Sequence, residues 1–393
     1  MNERRYIALY FFWLFFCFIF FACSGLAVKQ VAKSDVPLTC LAGVSTERRS
    51  YVAAEVSLPL QEISRFKVSS AVSQHLCATR DAIFVPTLDG RLSILDLRPP
   101  KNKSPSRKKI LQKTKLTQGY AGTIAIAQQS LVVAMRFGKE TLWRYDLQNG
   151  NKLWEIDAGD IASEPLIADS LIYVTALYKH VDAYDLQNGK RRWEFRADAQ
   201  FHASPALSQG ILIAASDNGK IYGLEAASGK KLWEFDCVEP VLATPAIHQN
   251  RVYIGTAREN VLALNLQDGA LLWKNKIGVK VTHSPAVNDS LVVFSCGDGR
   301  VRAFNNHDGA SRWTFHATSV IGTSPLIVNN IIFVGALDHI LYALDSRTGV
   351  TVWQQELEGR VRTDPIIVGD KLIVASEDRV VYVFGKAAPD ATN

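Results

Sequence analysis

The chain has 393 residues, of which 48% are hydrophobic and 21% are charged, a composition that excludes disorder for the bulk of the chain. The net charge of +6 is concentrated, because eight basic residues and no acidic one lie between Arg98 and Lys115. The rest of the chain is slightly acidic, so we expect no nucleic-acid partner.

The N-terminus has the pattern of an export signal. Arg4 and Arg5 precede an apolar run from Tyr6 to Ala22, and Cys23 follows it. This arrangement resembles a bacterial lipoprotein signal and predicts a signal peptide over residues 1–22. Acylation of Cys23 would then anchor the chain to a membrane, and the two arginines would keep the N-terminus on the cytoplasmic side.

One residue departs from that signal pattern. Phe20 stands three positions before the cysteine, where such signals usually carry Leu, so an uncleaved signal anchor is the alternative. Ser24 after the cysteine resembles the pattern of lipoproteins that travel to the outer membrane. We expect residues 23–60 to form a lipidated tether or linker.

Four further cysteines, Cys40, Cys77, Cys237 and Cys296, have neither metal-binding nor redox spacing. Four cysteines allow three disulfide connectivities, and the sequence selects none of them. We therefore predict no metal site and interpret these residues as small buried apolar side chains.

Residues 61–387 contain a repeat of about 40 residues. Tryptophans recur at 39 to 40 residue intervals, at Trp154, Trp193, Trp233, Trp273, Trp313 and Trp353. A glycine precedes each of them by four residues, at Gly150, Gly189, Gly229, Gly269, Gly309 and Gly349. A series of prolines keeps the same period, at Pro165, Pro205, Pro245, Pro285, Pro325 and Pro365.

Each repeat reads as four short strands. Ile211–Ala215 and Lys220–Glu225 are β-prone runs on either side of the turn Asp217-Asn218-Gly219. Lys231–Phe235 forms a third strand, and a shorter one is expected near Pro205, since proline suits the start of a strand. Four antiparallel strands per 40 residues is the pattern of a β-propeller blade.

The glycine and the tryptophan have separate physical roles in the repeat. Glycine adopts the positive φ of a tight turn without steric cost. The tryptophan is expected to dock against the neighbouring blade, where burial of about 150–250 Å² contributes at most ~4–6 kcal/mol. These twelve glycines and tryptophans are the predicted blade-docking residues.

The strand that precedes each tight turn occurs eight times, ending at Leu97, Leu147, Leu186, Ala226, Leu266, Asn306, Ser346 and Lys386. We therefore predict an all-β, eight-bladed propeller of four-stranded antiparallel blades, followed by a tail at 388–393. The first interval is ten residues longer than the others, and we assign the excess to a basic insertion at about 98–115.

The last blade lacks a tryptophan-bearing strand. Ile63–Val68 carries Phe66 at the position that Phe195 and Phe235 occupy in their repeats. We expect this N-terminal segment to complete the last blade and close the ring, which removes an exposed sheet edge.

The segment Ala183–Trp193 is similar to the tryptophan-docking motif of pyrroloquinoline-quinone-type propellers. Enzymes of that type bind a metal-bound quinone above the ring axis and commonly have a disulfide between adjacent cysteines. This chain is shorter than those enzymes and has no adjacent cysteines. We therefore expect no cofactor and no catalytic residues.

The whole chain resembles the B lipoprotein subunit family of the outer-membrane β-barrel assembly machinery. The resemblance implies a non-enzymatic, lipid-anchored scaffold that faces the periplasm and binds the central subunit of that machinery. Its partner-binding residues cannot be transferred by motif. An exported propeller that binds another envelope protein or a glycan is the alternative, and a quinone-dependent dehydrogenase is a further one.

Overall fold

The computed structural model describes residues 43–98, 110–115 and 123–386. The described residues form no helix, and their strands make eight sheets that correspond to eight antiparallel blades. The predicted all-β, eight-bladed propeller is confirmed.

The blades follow one another along the chain, with the first strand innermost and the fourth outermost. Blade 1 contains β3 (Cys77–Ala78), β4 (Ala82–Thr87), β5 (Arg91–Asp96) and β6 (Ile110–Lys115). Blade 2 contains β7 (Ile124–Ala127), β8 (Ser130–Ala134), β9 (Leu142–Asp146) and β10 (Lys152–Ile156). Blade 3 contains β11 (Leu166–Ala168), β12 (Leu171–Ala176), β13 (His180–Asp185) and β14 (Arg191–Arg196). Blade 4 contains β15 (Ala206–Ser208), β16 (Ile211–Ala215), β17 (Lys220–Glu225) and β18 (Lys231–Asp236).

The second half of the ring repeats this plan. Blade 5 contains β19 (Ala246–His248), β20 (Arg251–Gly255), β21 (Asn260–Asn265) and β22 (Leu271–Lys276). Blade 6 contains β23 (Ala286–Val287), β24 (Leu291–Ser295), β25 (Arg300–Asn305) and β26 (Ser311–His316). Blade 7 contains β27 (Leu326–Val328), β28 (Ile331–Gly335), β29 (Ile340–Asp345) and β30 (Thr351–Glu356), with β1 (Tyr51–Val52) added at its inner edge. Blade 8 contains β31 (Ile366–Val368), β32 (Lys371–Ala375), β33 (Val380–Gly385) and β2 (Gln61–Lys67).

The N-terminal strand closes the ring, as predicted. β2 pairs antiparallel with β33, and Phe66 lies opposite Val381 in the register that Phe235 has with Ile221 in blade 4. Phe66 and Val68 are buried in a cluster that joins blade 8 to blade 1. The first and last strands of the propeller in sequence therefore belong to one sheet.

The repeated tryptophans lie between successive blades. The indole Nε1 of Trp193 donates to the Ala226 carbonyl at 2.9 Å, and that of Trp233 donates to the Leu266 carbonyl at 2.9 Å. Each indole also covers the turn glycine of the following blade. A Cβ added to Gly269, which has a φ of +71°, would lie 2.5 Å from the Trp233 ring, so this position has no room for a side chain.

Replacing Trp233 with alanine is expected to lower the free energy of unfolding by roughly 3–5 kcal/mol, because a cavity opens between two blades. Trp143 lies outside the docking series and is only partly buried, so Trp143→Ala should have a smaller effect. Chemical denaturation of both variants measures the difference. Equal losses would contradict a docking role for Trp233.

Two predicted boundaries differ from the structure. Ile110–Lys115, predicted within the basic insertion, is the outer strand of blade 1 and pairs with β5. Residues 43–60, predicted within the tether, pack on the ring. Val52, Val56 and Leu58 contact the buried cluster between blades 7 and 8, because apolar residues alternate along this segment.

Candidate functional site

The ring has two faces, set by the alternating strand directions. The turns between second and third strands, and the connections from one blade to the next, form what we call the upper face. The turns between first and second strands, and between third and fourth strands, form the lower face. The two faces differ in how the chain covers the central axis.

Residues 43–52, the axial segment, cross the axis on the lower side. The carbonyls of Thr46, Glu47, Arg49 and Ser50 accept hydrogen bonds from inner-strand N–H groups of four successive blades. The donors are Leu207, Ile247, Val287 and Ile327, at distances of 2.8 to 2.9 Å. Tyr51–Val52 then pairs parallel with Ile327–Val328. The segment thus satisfies backbone donors that face the axis.

Eight residues occupy equivalent register positions just before the inner strands, one per blade, and we call them the axial ring. They are His75, Thr123, Glu164, Ser204, Thr244, Ser284, Ser324 and Asp364. Several side chains accept the backbone N–H of the preceding blade: Ser204 Oγ from Glu164 at 2.8 Å, and Asp364 Oδ1 from Ser324 at 2.7 Å. Hydrogen bonds therefore link adjacent blades around the axis.

The three titratable members of the axial ring form a charged cluster with Arg48. His75 Nδ1 lies 3.3 Å from Glu164 Oε1 and 3.1 Å from Asp364 Oδ2. Arg48, only 1% exposed, rises from the axial segment and its Nη1 lies 3.2 Å from Glu164 Oε2. Two basic groups and two carboxylates thus compensate one another inside the channel.

The environment of this cluster shifts its pKa values. Burial opposes charge on His75, but Glu164 and Asp364 outweigh it and raise the pKa of His75 to about 9. Burial also opposes charge on Asp364, yet His75 holds the pKa of that carboxyl below its usual value. His75 is therefore protonated at neutral pH.

The His75 cluster predicts a pH dependence of stability. Because the folded-state pKa lies above the unfolded value of about 6.5, the stabilisation is complete below pH 6.5. It is lost as the pH rises through about 9 and amounts to at most ~3 kcal/mol. Chemical denaturation of the wild type and of His75→Gln from about pH 6 to about pH 9.5, a range that spans both pKa values of His75, measures this loss of stability. Parallel stability curves would contradict the coupling.

Above the charged cluster, the channel opens to the upper face as a cup of about 350 Å³. Its floor contains His75 and Glu164, and its walls carry hydroxyl side chains of the axial ring. Leu88, Arg136 and Leu242 line its mouth. The cup is thus a polar depression with a partly apolar rim.

The upper face also carries most of the exposed large apolar side chains that do not lie on outer strands. Leu88, Phe137 and Tyr178 lie in the turns between the second and third strands of blades 1, 2 and 3, respectively. Phe137 is 48% exposed and Tyr178 is 64% exposed. Val238, 77% exposed, and Leu242 lie in the connection between blades 4 and 5. The corresponding turns of blades 4 to 8 carry charges, at Asp217, Arg258, Glu259, Asp298, Asp338, Glu377 and Asp378. Val320, 41% exposed, is the one exposed large apolar residue described on the upper face between blades 6 and 7.

The structure separates the predicted site residues from the cup. The predicted docking residues lie towards the outside of the ring, the tryptophans on the fourth strands and the glycines in the turns that precede those strands. Cys23 and Cys40 lie outside the described residues. Cys237 and Cys296 are buried, and neither forms a disulfide.

Sequence reasoning missed the axial ring as a candidate site, although a signal was present. The residue before the repeated proline is Ser or Thr in four copies, whereas Glu164 and Asp364 interrupt the series. Carboxylates at a position that is otherwise uncharged indicate a local change in chemistry. By themselves the Ser-Pro and Thr-Pro elements indicate only the starts of inner strands, which is where they lie.

Within residues 43–98, 110–115 and 123–386, no three histidine, cysteine or acidic side chains are arranged to hold a metal ion. The same part of the chain contains no helix of the length and apolarity needed to span a membrane.

Comparison with protein families gives matches along the ring. A family model described as outer membrane protein assembly factor BamB matches residues 61–199, 177–296, 217–326 and 297–388. No curated protein sequence matches the chain.

Solved structures share the fold at low sequence identity. BamB from Moraxella catarrhalis is 18% identical, with a TM-score of 0.68 over 83% of this chain and 100% of that one. The quinohemoprotein alcohol dehydrogenase of Comamonas testosteroni is 12% identical, with a TM-score of 0.75 over 93% of this chain and 83% of that one. A europium-containing methanol dehydrogenase is 11% identical, with a TM-score of 0.74 over 90% and 99% of the two chains. At these identities the structures show the fold alone.

Proposed function

Because the chain belongs to the outer membrane protein assembly factor BamB family, we propose that it is a non-enzymatic scaffold lipoprotein that assists the assembly and insertion of outer-membrane β-barrel proteins. The observation that carries this proposal is the extent of the family match, which covers all eight blades. The proposed partner is the central subunit of the barrel-assembly machinery.

The upper face supports the protein-binding part of the proposal. Leu88, Phe137, Tyr178, Val238 and Leu242 expose apolar surface on the side of blades 1 to 5. Exposed apolar clusters with aromatic residues and a polar surround are typical of protein interfaces. The lower side of the axis is covered by the axial segment. We therefore propose that the partner docks on the upper face, over blades 1 to 5.

The proposed location rests on the N-terminal sequence. Acylation of Cys23 would anchor the protein to the outer membrane, with the ring facing the periplasm. Cys23→Ala should abolish lipid labelling of the mature protein. An uncleaved wild-type product would instead favour the signal anchor.

The dehydrogenases of similar fold suggest a second candidate function, but the cup residues are a poor fit to a metal-bound quinone. Glu164 and Asp364, the carboxylates near the cup floor, already pair with Arg48 and His75. A metal ion bound there would have to compete with these two cationic side chains. This donor set favours the scaffold over the enzyme.

A deletion strain tests the proposed function. We expect lower levels of outer-membrane β-barrel proteins and greater permeability, both restored by the wild-type gene. Pull-down of the protein from detergent-solubilised membranes should recover the barrel-assembly machinery. Normal barrel levels together with no co-purification would reject the proposal and leave an exported propeller with another envelope partner.

A surface double variant tests the docking face. Phe137→Ala with Tyr178→Ala should reduce co-purification of the partner at least about tenfold, because truncation of aromatic anchors costs more than ~1 kcal/mol each. Leu232→Ala with Leu272→Ala is the matched control, since these exposed side chains lie on the outer strands β18 and β22. Equal effects of the two pairs would contradict the assignment of the face.

A further inference from the structure

The axial cup is closed below and open above. The axial segment and the Arg48 cluster form its base, and its mouth lies on the upper face beside Leu88 and Leu242. Its volume of about 350 Å³ lies within the range of small-molecule sites. Its mouth therefore admits a compound from the upper side.

The walls of the cup carry hydroxyl and amide groups whose protons are not donated to other protein groups among the described residues. Ser204 Oγ and Thr244 Oγ1 each accept a backbone N–H, but no hydrogen bond among the described residues uses their hydroxyl protons. Thr282 and Ser284 add two more hydroxyl groups, and Gln74 adds an amide. Such a lining matches a ligand with several hydroxyl groups.

Glu164 defines what the floor of the cup can bind. The residue is 3% exposed, and its Oε1 lies in an ion pair with His75 but has no hydrogen-bond donor among the described residues. Since Arg48 and His75 already compensate its charge, an additional cation would be repelled. The floor is therefore charge-compensated and disfavours a cationic group on the ligand.

Arg136 defines what the mouth can bind. Its guanidinium lies 5.4 Å from the centre of the Phe137 ring and has no ion-pair partner among the described residues. The nearby His202 is already paired with Asp217 at 2.6 Å. One uncompensated cation at the mouth favours one anionic group on the ligand, and arginine is well suited to a carboxylate.

From these groups we propose that the cup is a binding site for a small hydroxylated monocarboxylate of the size of a sugar acid. Its carboxylate contacts Arg136 at the mouth, and its hydroxyl groups reach the axial-ring hydroxyls. The cup shares Leu88 and Leu242 at its mouth with the proposed docking surface, but ligand binding is measured on the protein without its partner, so the two proposals fail independently.

Calorimetric titration of the detergent-purified full chain with galacturonate, galactose, acetate and galactosamine tests the proposal. Galacturonate should bind at least about tenfold more tightly than each of the other three, since only it supplies both the carboxylate and the hydroxyl groups. Failure of the folded wild type to bind galacturonate, or equal affinity for galactose or acetate, would overturn the proposal. Tighter binding of galactosamine would also overturn it.

Variants identify the site. Arg136→Gln should weaken galacturonate binding at least about tenfold and leave galactose unaffected, because only the carboxylate contact is lost. Arg258→Gln is the matched control. Arg258 is an exposed arginine in the equivalent turn of blade 5, and it does not line the cup. Thr282→Val should weaken both ligands without disturbing the charged cluster. If both Arg136→Gln and Thr282→Val bind galacturonate as the wild type does, the ligand binds outside the cup and the assignment of the site is refuted.

Discussion

Arg48→Ala is expected to lower the free energy of unfolding by about 3 to 5 kcal/mol, because it removes one partner of a buried ion pair. The side chain is 1% exposed and donates to the carbonyls of Glu164, Pro165 and Pro205 as well as to the Glu164 carboxylate, each at 3.2 Å. Its loss would leave those buried acceptors without their donor.

Arg49→Ala is the matched control for this experiment. Arg49 is the next residue in the axial segment, but its side chain is about a third exposed and contacts His248 and Tyr51 near the surface. It should cost no more than about 1 kcal/mol. Denaturant midpoints with unchanged m-values measure both effects. A loss below 1 kcal/mol for Arg48→Ala would contradict a stabilising role for the buried Arg48–Glu164 ion pair.

Deletion of the chain through Val68 is expected to abolish the cooperative unfolding of the ring. It removes the strand that pairs with β33 and the buried side chains of Phe66 and Val68. The sheet edge Val380–Gly385 would be exposed, and the loss of about 5 kcal/mol or more approaches the total stability of many domains.

A shorter deletion separates ring closure from the axial segment. A chain that begins at residue 61 retains β2 but lacks residues 43–60, so it should keep a cooperative transition at a lower midpoint. Calorimetry and size-exclusion chromatography of the two proteins provide the comparison. A chain lacking residues through Val68 that melts like the full protein would refute closure by β2.

The sequence determined the fold because the repeat encodes mostly local interactions. Most neighbouring strands within a blade, such as β16 and β17, are joined by a short turn whose residues set the register. The position of Phe66 at the repeat phase of Phe235 was enough to predict ring closure, because pairing with β33 places both at the same register position. The family model matches the same repeat-containing residues.

Which charged side chains meet in the central channel depends on the tertiary structure. His75, Glu164 and Asp364 are distant in sequence and converge only because the ring brings equivalent positions of blades 1, 3 and 8 around one axis. Arg48 joins them from outside the repeat, so no periodicity could predict its partner. Residues 43–60 pack on the ring because axis-facing N–H groups and apolar surface between blades 7 and 8 need partners, and that need arises only once the blades have assembled.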